Sequence, residues 1–147
     1  MFGKIAKIFG IKGSSSEDFV SRRILIVDDN EIDLKLIQKT VEKIGHQAIL
    51  AENGKIGYEI AKAEKPDLIL SDCKMPVMNG VDMCKLIKED ANTMNIPLIF
   101  LTGVNTPKSV IDCFDTGAEN YICKPIKPKV LSAQIKTIFD EYLFTNV

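Results

Sequence analysis

The chain has 147 residues, 27% of them charged and 46% apolar, with a net charge of −1. That length suits one globular domain with a single sizeable core and excludes a two-domain enzyme of ordinary size. The charge balance excludes a general nucleic-acid binder, and the lack of tryptophan and scarcity of aromatics exclude a base-stacking platform.

Residues 1–13 carry Lys4, Lys7 and Lys12 and no acid, so they hold +3 while the rest of the chain sums to −4. Phe2, Ile5, Ile8 and Phe9 can share one face of a helix. This segment has three readings: a helix packed on the domain or on a twin subunit, a partner-docking helix, or a short membrane-surface anchor. Gly13 to Asp18 is polar, and a boundary is expected near residue 20: an extension with linker over 1–20 and a domain over 21–147.

Strict alternation follows. Arg23–Val27 reads as a strand, and Glu31–Ile44 as a helix, with Leu34, Ile37, Val41 and Ile44 on one face and Gly45 as its stop. Gln47–Ala51 is a second strand, 54–64 a helix closed by Pro66, and Asp67–Ser71 a third strand. A helix over 81–90, a strand over 97–101, a helix from Pro107 to about Thr116, and a strand over 120–123 come next. Pro128 opens a last helix carrying Leu131, Ile135, Ile138 and Tyr142. Near-continuous apolar strands alternating with helices predict an α/β fold, a doubly wound five-stranded parallel sheet with helices on both faces.

Ligands of such sheets bind beyond the carboxyl ends of the strands, where the strand order reverses. Those ends carry Asp28 and Asp29, then Asp72, Thr102, and Lys124 with Pro125. In the order 2-1-3-4-5, Glu52 ends an outer strand. Carboxylates about 4 Å apart repel by roughly 4 kcal/mol at an effective dielectric near 20, so the cluster calls for a cation or protons. An all-oxygen donor set suits Mg²⁺, and Lys124 and Thr102 suit phosphoryl oxygens. The residues therefore predict phosphoryl transfer to a carboxylate nucleophile, Asp72. Asp28, Asp29 and Asp72 would hold the metal, with the Lys74 backbone carbonyl as a fourth contact. A nucleotide-binding glycine turn and a Gly-x-Ser-x-Gly elbow are both missing, and a haloacid-dehalogenase-type phosphatase would want a second acid where Lys74 stands.

The runs Ile24-Leu25-Ile26-Val27-Asp28-Asp29-Asn30, Leu68 to Gly80 (with Ser71-Asp72-Cys73-Lys74-Met75-Pro76), Leu101-Thr102-Gly103 and Tyr121-Ile122-Cys123-Lys124-Pro125 resemble the receiver domain of bacterial response regulators over about residues 22–145. The resemblance implies a phosphorelay protein that takes a phosphoryl group onto Asp72 from the phosphohistidine of a sensor kinase or phosphotransfer protein, with Mg²⁺. It implies Thr102 and Tyr121 as switch residues, Lys124 as the conserved-type lysine, and a cis bond before Pro125. Once Thr102 moves toward the phosphoryl group, Tyr121 would rotate inward and remodel a surface of the fourth helix, fifth strand and fifth helix that binds a downstream protein. It further implies a signalling protein rather than a metabolic enzyme, with self-dephosphorylation as a timer that Lys74 slows by shielding, while the lack of a secretory signal and the cysteine spacing point to the cytoplasm. Direct DNA binding is not expected, and a homodimer is allowed. The alternative is a phosphorylation-independent interaction module. His46 reads as a surface loop residue, Met75 and Met78 as loop packing, and the four cysteines as reduced core thiols. Cys73 should point to the side of its strand end opposite Asp72.

Overall fold

A computed structural model describes residues 19–145, and side chains through residue 141. The amphipathic face of Phe2, Ile5, Ile8 and Phe9 lies outside the described residues, as does the side chain of Tyr142. Five strands, β1 (Arg23–Val27), β2 (Gln47–Ala51), β3 (Leu68–Ser71), β4 (Leu98–Thr102) and β5 (Asn120–Cys123), alternate with five helices. These are α1 (Glu31–Lys43), α2 (Gly54–Glu64), α3 (Gly80–Glu89), α4 (Pro107–Asp115) and α5 (Pro128–Thr145). All pairings are parallel, as the apolar runs predict, and the order is β2-β1-β3-β4-β5, as the receiver resemblance implies.

The expected boundaries move by a residue or so at several ends. β3 starts at Leu68, β4 runs on to Thr102, and α3 starts at Gly80 because Asn79 caps it, accepting from the Asp82 amide. Asn30 caps α1 by accepting from the amides of Ile32 and Asp33, and Asn53 caps α2 through the Ile56 amide. α1 closes where Gly45 takes φ 94, a conformation that glycine adopts without Cβ strain.

Alternation along the strands divides the core. Leu25, Val27, Ile69, Leu98 and Phe100 pack with Met83, Cys84, Ile87 and Cys113 on one face. Ile24, Ile26, Leu68, Leu70, Ile99 and Leu101 pack with Ile37, Val41, Leu131 and Ile135 on the other. Each such aliphatic side chain stabilises the fold by about 1.5–3 kcal/mol on burial. β1, β3 and β4 are covered on both faces, whereas the edge strands β2 and β5 are only partly covered.

Two expectations change. Cys123 is exposed at the end of the edge strand β5 rather than a core thiol, because that strand is only partly covered. His46 is half-buried rather than a free loop residue. Its Nδ1 accepts from the Arg22 amide at 3.0 Å, and its ring stacks on Phe19 and meets the edge of Phe139. Met75 and Met78 pack against the core, as expected of loop packing. Among the described residues, no helix is long and apolar enough to cross a membrane.

Candidate functional site

β1 and β3 are adjacent, and their connections leave in opposite directions, so the strand order reverses between them. Main-chain bonds continue past the strand ends and fix the rim. Asp28 donates its amide to Ala51, Asp72 to Val27 and Lys124 to Thr102, at 3.0, 2.9 and 2.9 Å. The chain turns at Asn30, whose amide donates to Asp28 Oδ1 at 2.9 Å. The Lys124–Pro125 bond is cis, as expected.

The three predicted carboxylates converge. Oxygens of Asp28, Asp29 and Asp72 all lie within 4.8 Å of one another. Asp28 is buried and Asp29 exposed, with Asp72 between them. The Cys73 amide donates to Asp72 Oδ1 at 2.7 Å and so orients the carboxylate, leaving Oδ2 toward the ammonium of Lys124. Lys124 Nζ lies 2.9 Å from Asp72 Oδ2, 2.9 Å from Asp28 Oδ2 and 2.8 Å from Asp33 Oδ2.

Asp33 is a fourth carboxylate that sequence reasoning missed. It stands in the first turn of α1, where acids are commonplace near the positive end of the helix, so its type there carried little signal.

The electrostatics follow from burial and from these pairs. Burial raises the Asp28 carboxyl above its ordinary value, against the Asn30 amide and the Lys124 ammonium, which pull it down. Burial also works against the charge on Lys124, but hydrogen bonds to Asp33, Asp28 and Asp72 outweigh it and hold the ammonium above the usual lysine value. An acidic pocket of oxygen donors, its charge partly balanced by one fixed ammonium, suits a hard divalent cation and a phosphoryl group.

Thr102 is fully buried, and its hydroxyl accepts from the Val104 amide at 3.2 Å. Tyr121 is already turned inward, packed against the core, with its hydroxyl buried and, among the described residues, unpartnered. Burial pushes the Tyr121 phenol up to about 12.

Lys74 is exposed and lines a cleft of about 580 Å³ between α3 and α4. Cys73 is buried among core side chains, as expected for its position, and its Sγ lies 3.0 Å from that of Cys113. The two are 40 residues apart, which is why the sequence treats them as unrelated.

A reversed strand order, an acidic pair after β1, an aspartate after β3 and a lysine after β5, with no glycine turn for a nucleotide, define a signalling receiver within the doubly wound class. A family model for the response regulator receiver domain matches residues 24–136, and the chain belongs to that family. It is 36% identical over 116 residues to PilH of Pseudomonas aeruginosa, covering 79% of this chain and 96% of PilH. The CheY-like receiver of Methanospirillum hungatei superposes with a TM-score of 0.80 at 28% identity, covering 86% of this chain and 99% of that one. The receiver domain of a Pseudomonas aeruginosa sensor histidine kinase, solved with a magnesium ion coordinated in its active-site cleft, gives a TM-score of 0.73 at 26% identity over 84% and 98% of the two chains. The chain spans about half the length of other curated relatives it matches. Members of this family are two-component signalling proteins rather than metabolic enzymes.

Proposed function

We propose that Asp72 is the phosphoacceptor of a phosphorelay. The observation that carries this reading is the convergence of Asp28, Asp72 and Lys124 at the point where the strand order reverses. A carboxylate oxygen of Asp72 forms a bond to phosphorus while the N–P bond of a partner's phosphohistidine breaks. The imidazole leaves, and an acyl phosphate remains. Lys124, held above the usual lysine range, stays protonated and offers its charge to the transferred oxygens. The Cys73 amide keeps Asp72 aimed by holding Oδ1.

The donor set fits Mg²⁺. Asp28, Asp29 and Asp72, with the Lys74 carbonyl, would hold it, and when bound it neutralises phosphoryl charge. The magnesium in the kinase receiver's cleft supports this assignment.

Thr102 and Tyr121 are the switch pair of this reading. The Thr102 hydroxyl retains a hydrogen to donate to a phosphoryl oxygen. The response would then appear on α4, β5 and α5, where a target protein binds. A full switch from 1:99 to 99:1 requires the acyl phosphate to favour the active arrangement by about 5.5 kcal/mol. The exposed Lys74 beside the site would shield the acyl phosphate from water and lengthen its life.

The test is incubation with acetyl phosphate, with and without Mg²⁺, read by intact mass. A Mg²⁺-dependent phosphate adduct that disappears in Asp72→Ala is expected, and its decay should speed up in Lys74→Ala. An absent adduct, or one that persists in Asp72→Ala, overturns the assignment and leaves a phosphorylation-independent interaction module.

A further inference from the structure

We propose that Cys73 and Cys113 form a redox-modifiable dithiol, which a low-molecular-weight disulfide converts to an intramolecular disulfide that clamps α4 to the end of β3. The two sulfurs are 3.0 Å apart, so about 1 Å of closure gives the disulfide length of about 2.05 Å. Both residues sit in the wall of the cleft between α3 and α4, which gives a small reagent a route to them. Cys73 is 5% exposed and Cys113 1%, so Cys73 is the more accessible entry point.

The other two cysteines are placed differently. Cys84 is engaged with Thr116, whose hydroxyl meets its sulfur at 3.1 Å, and Cys123 is exposed on β5.

The exchange balances. The Cys73 sulfur attacks one sulfur of the reagent and expels the other half, which takes up the thiol proton. The Cys113 sulfur then attacks Cys73 Sγ in the mixed disulfide and expels the second half with the second proton. Two electrons and two thiol hydrogens pass to the reagent, which leaves as two thiols.

The position of this bond gives it a consequence. Cys73 follows Asp72 directly, while Cys113 lies in α4, whose outer face leaves Ile111 and Phe114 exposed. A covalent tie restricts how far α4 can move from the strand end. Its effect on signalling rests on the phosphoacceptor reading, but the disulfide and the clamp do not.

The experiment therefore uses no phosphodonor. The full chain is reduced, treated with 2-hydroxyethyl disulfide, alkylated, and read by intact mass and peptide mapping. The expected result is loss of two hydrogens and two protected thiols, mapped to Cys73 and Cys113. Cys84→Ser and Cys123→Ser retain the product, Cys73→Ser and Cys113→Ser lose it, and a thiol reductant reverses it. Amide exchange over residues 109–115 slows on oxidation, and the same treatment leaves Cys113→Ser unchanged. Alkylation of all four cysteines, a bridge through Cys123, or unchanged exchange in α4 after oxidation each overturns the proposal.

Discussion

Lys124 Nζ lies 2.9 Å from Asp72 Oδ2 and the same distance from Asp28 Oδ2, so one ammonium from the end of β5 compensates carboxylates from two other strands. Without it the cluster is left with unopposed negative charge at a depth where Asp28 is 1% exposed. Lys124→Met should therefore lower thermal stability in a chelator and respond more strongly to Mg²⁺. The measurement is the midpoint of unfolding with and without Mg²⁺. An equal Mg²⁺ shift in variant and parent would mean that the ammonium does not compete for these oxygens.

Asp33 acts on the same lysine from the side. Its carboxylate draws Lys124 away from Asp28 and Asp72 and adds negative potential near the acidic pocket. Asp33→Ala removes both influences and should weaken Mg²⁺ binding. A part-exposed pair of this kind contributes about 0.2–1 kcal/mol, or about 1.4- to 5-fold in Kd. Calorimetric titration of Mg²⁺ into the two proteins measures it, and unchanged binding would confine Asp33 to a structural role.

Gly80 and Gly103 should respond oppositely to alanine. A Cβ at Gly80 would stand 1.9 Å from the Asp72 carbonyl oxygen, which is backbone, while the Gly80 amide is held on the Cys73 carbonyl at 2.8 Å. Neither side can yield without moving Asp72, so Gly80→Ala should cost about 1–3 kcal/mol and slow any chemistry at that carboxylate. A Cβ at Gly103 meets nothing within 4 Å. Gly103→Ala should be neutral or stabilise by up to about 1 kcal/mol by restricting the unfolded chain. Denaturant unfolding of both variants checks the contrast.

The residues that chemistry places at strand ends were legible in the sequence because topology alone brings them together. Once the strands at 23–27, 68–71, 98–102 and 120–123 lie parallel, the residues that follow them share one rim. Asp33 and Cys113 were not legible, because each meets its partner only through the packing of a helix on the sheet. The rotamer of Tyr121 was illegible for a related reason. Whether an aromatic at a sheet edge turns in or out depends on the space left by Phe100, Cys73 and Cys113, and no local pattern encodes that space.

His46 makes stability depend on pH. Its Nδ1 accepts the Arg22 amide, which requires a neutral ring, and burial followed by the nearby Arg22 charge lowers its proton affinity below the ordinary 6.5. The unfolded chain therefore binds a proton at higher pH than the folded one. The contribution is whole above 6.5 and is lost as pH falls from there toward the lower folded value. His46→Phe keeps an aromatic between Phe19 and Phe139 but cannot titrate. The parent's unfolding temperature should fall more steeply than the variant's across that window, and parallel curves would remove His46 as the cause.

Tyr121 carries a removable cost. Its hydroxyl is buried with no hydrogen-bond partner among the described residues, although the ring packs against the core face formed by Phe100, Cys73 and Cys113. A buried hydroxyl without a partner loses its bonds to water and gains nothing in return, a penalty of about 1–3 kcal/mol. Phenylalanine keeps the ring, and with it most of the buried area, and deletes only the penalised atom. Tyr121→Phe should therefore raise stability, by an amount below that penalty because the relaxed cavity gives some contacts back. Chemical denaturation with an unchanged m-value is the check. A loss of stability would mean that the hydroxyl is bonded in solution, and the same variant would then separate that bond from the ring's part in switching: the ring's role survives in Phe, and the hydroxyl's does not.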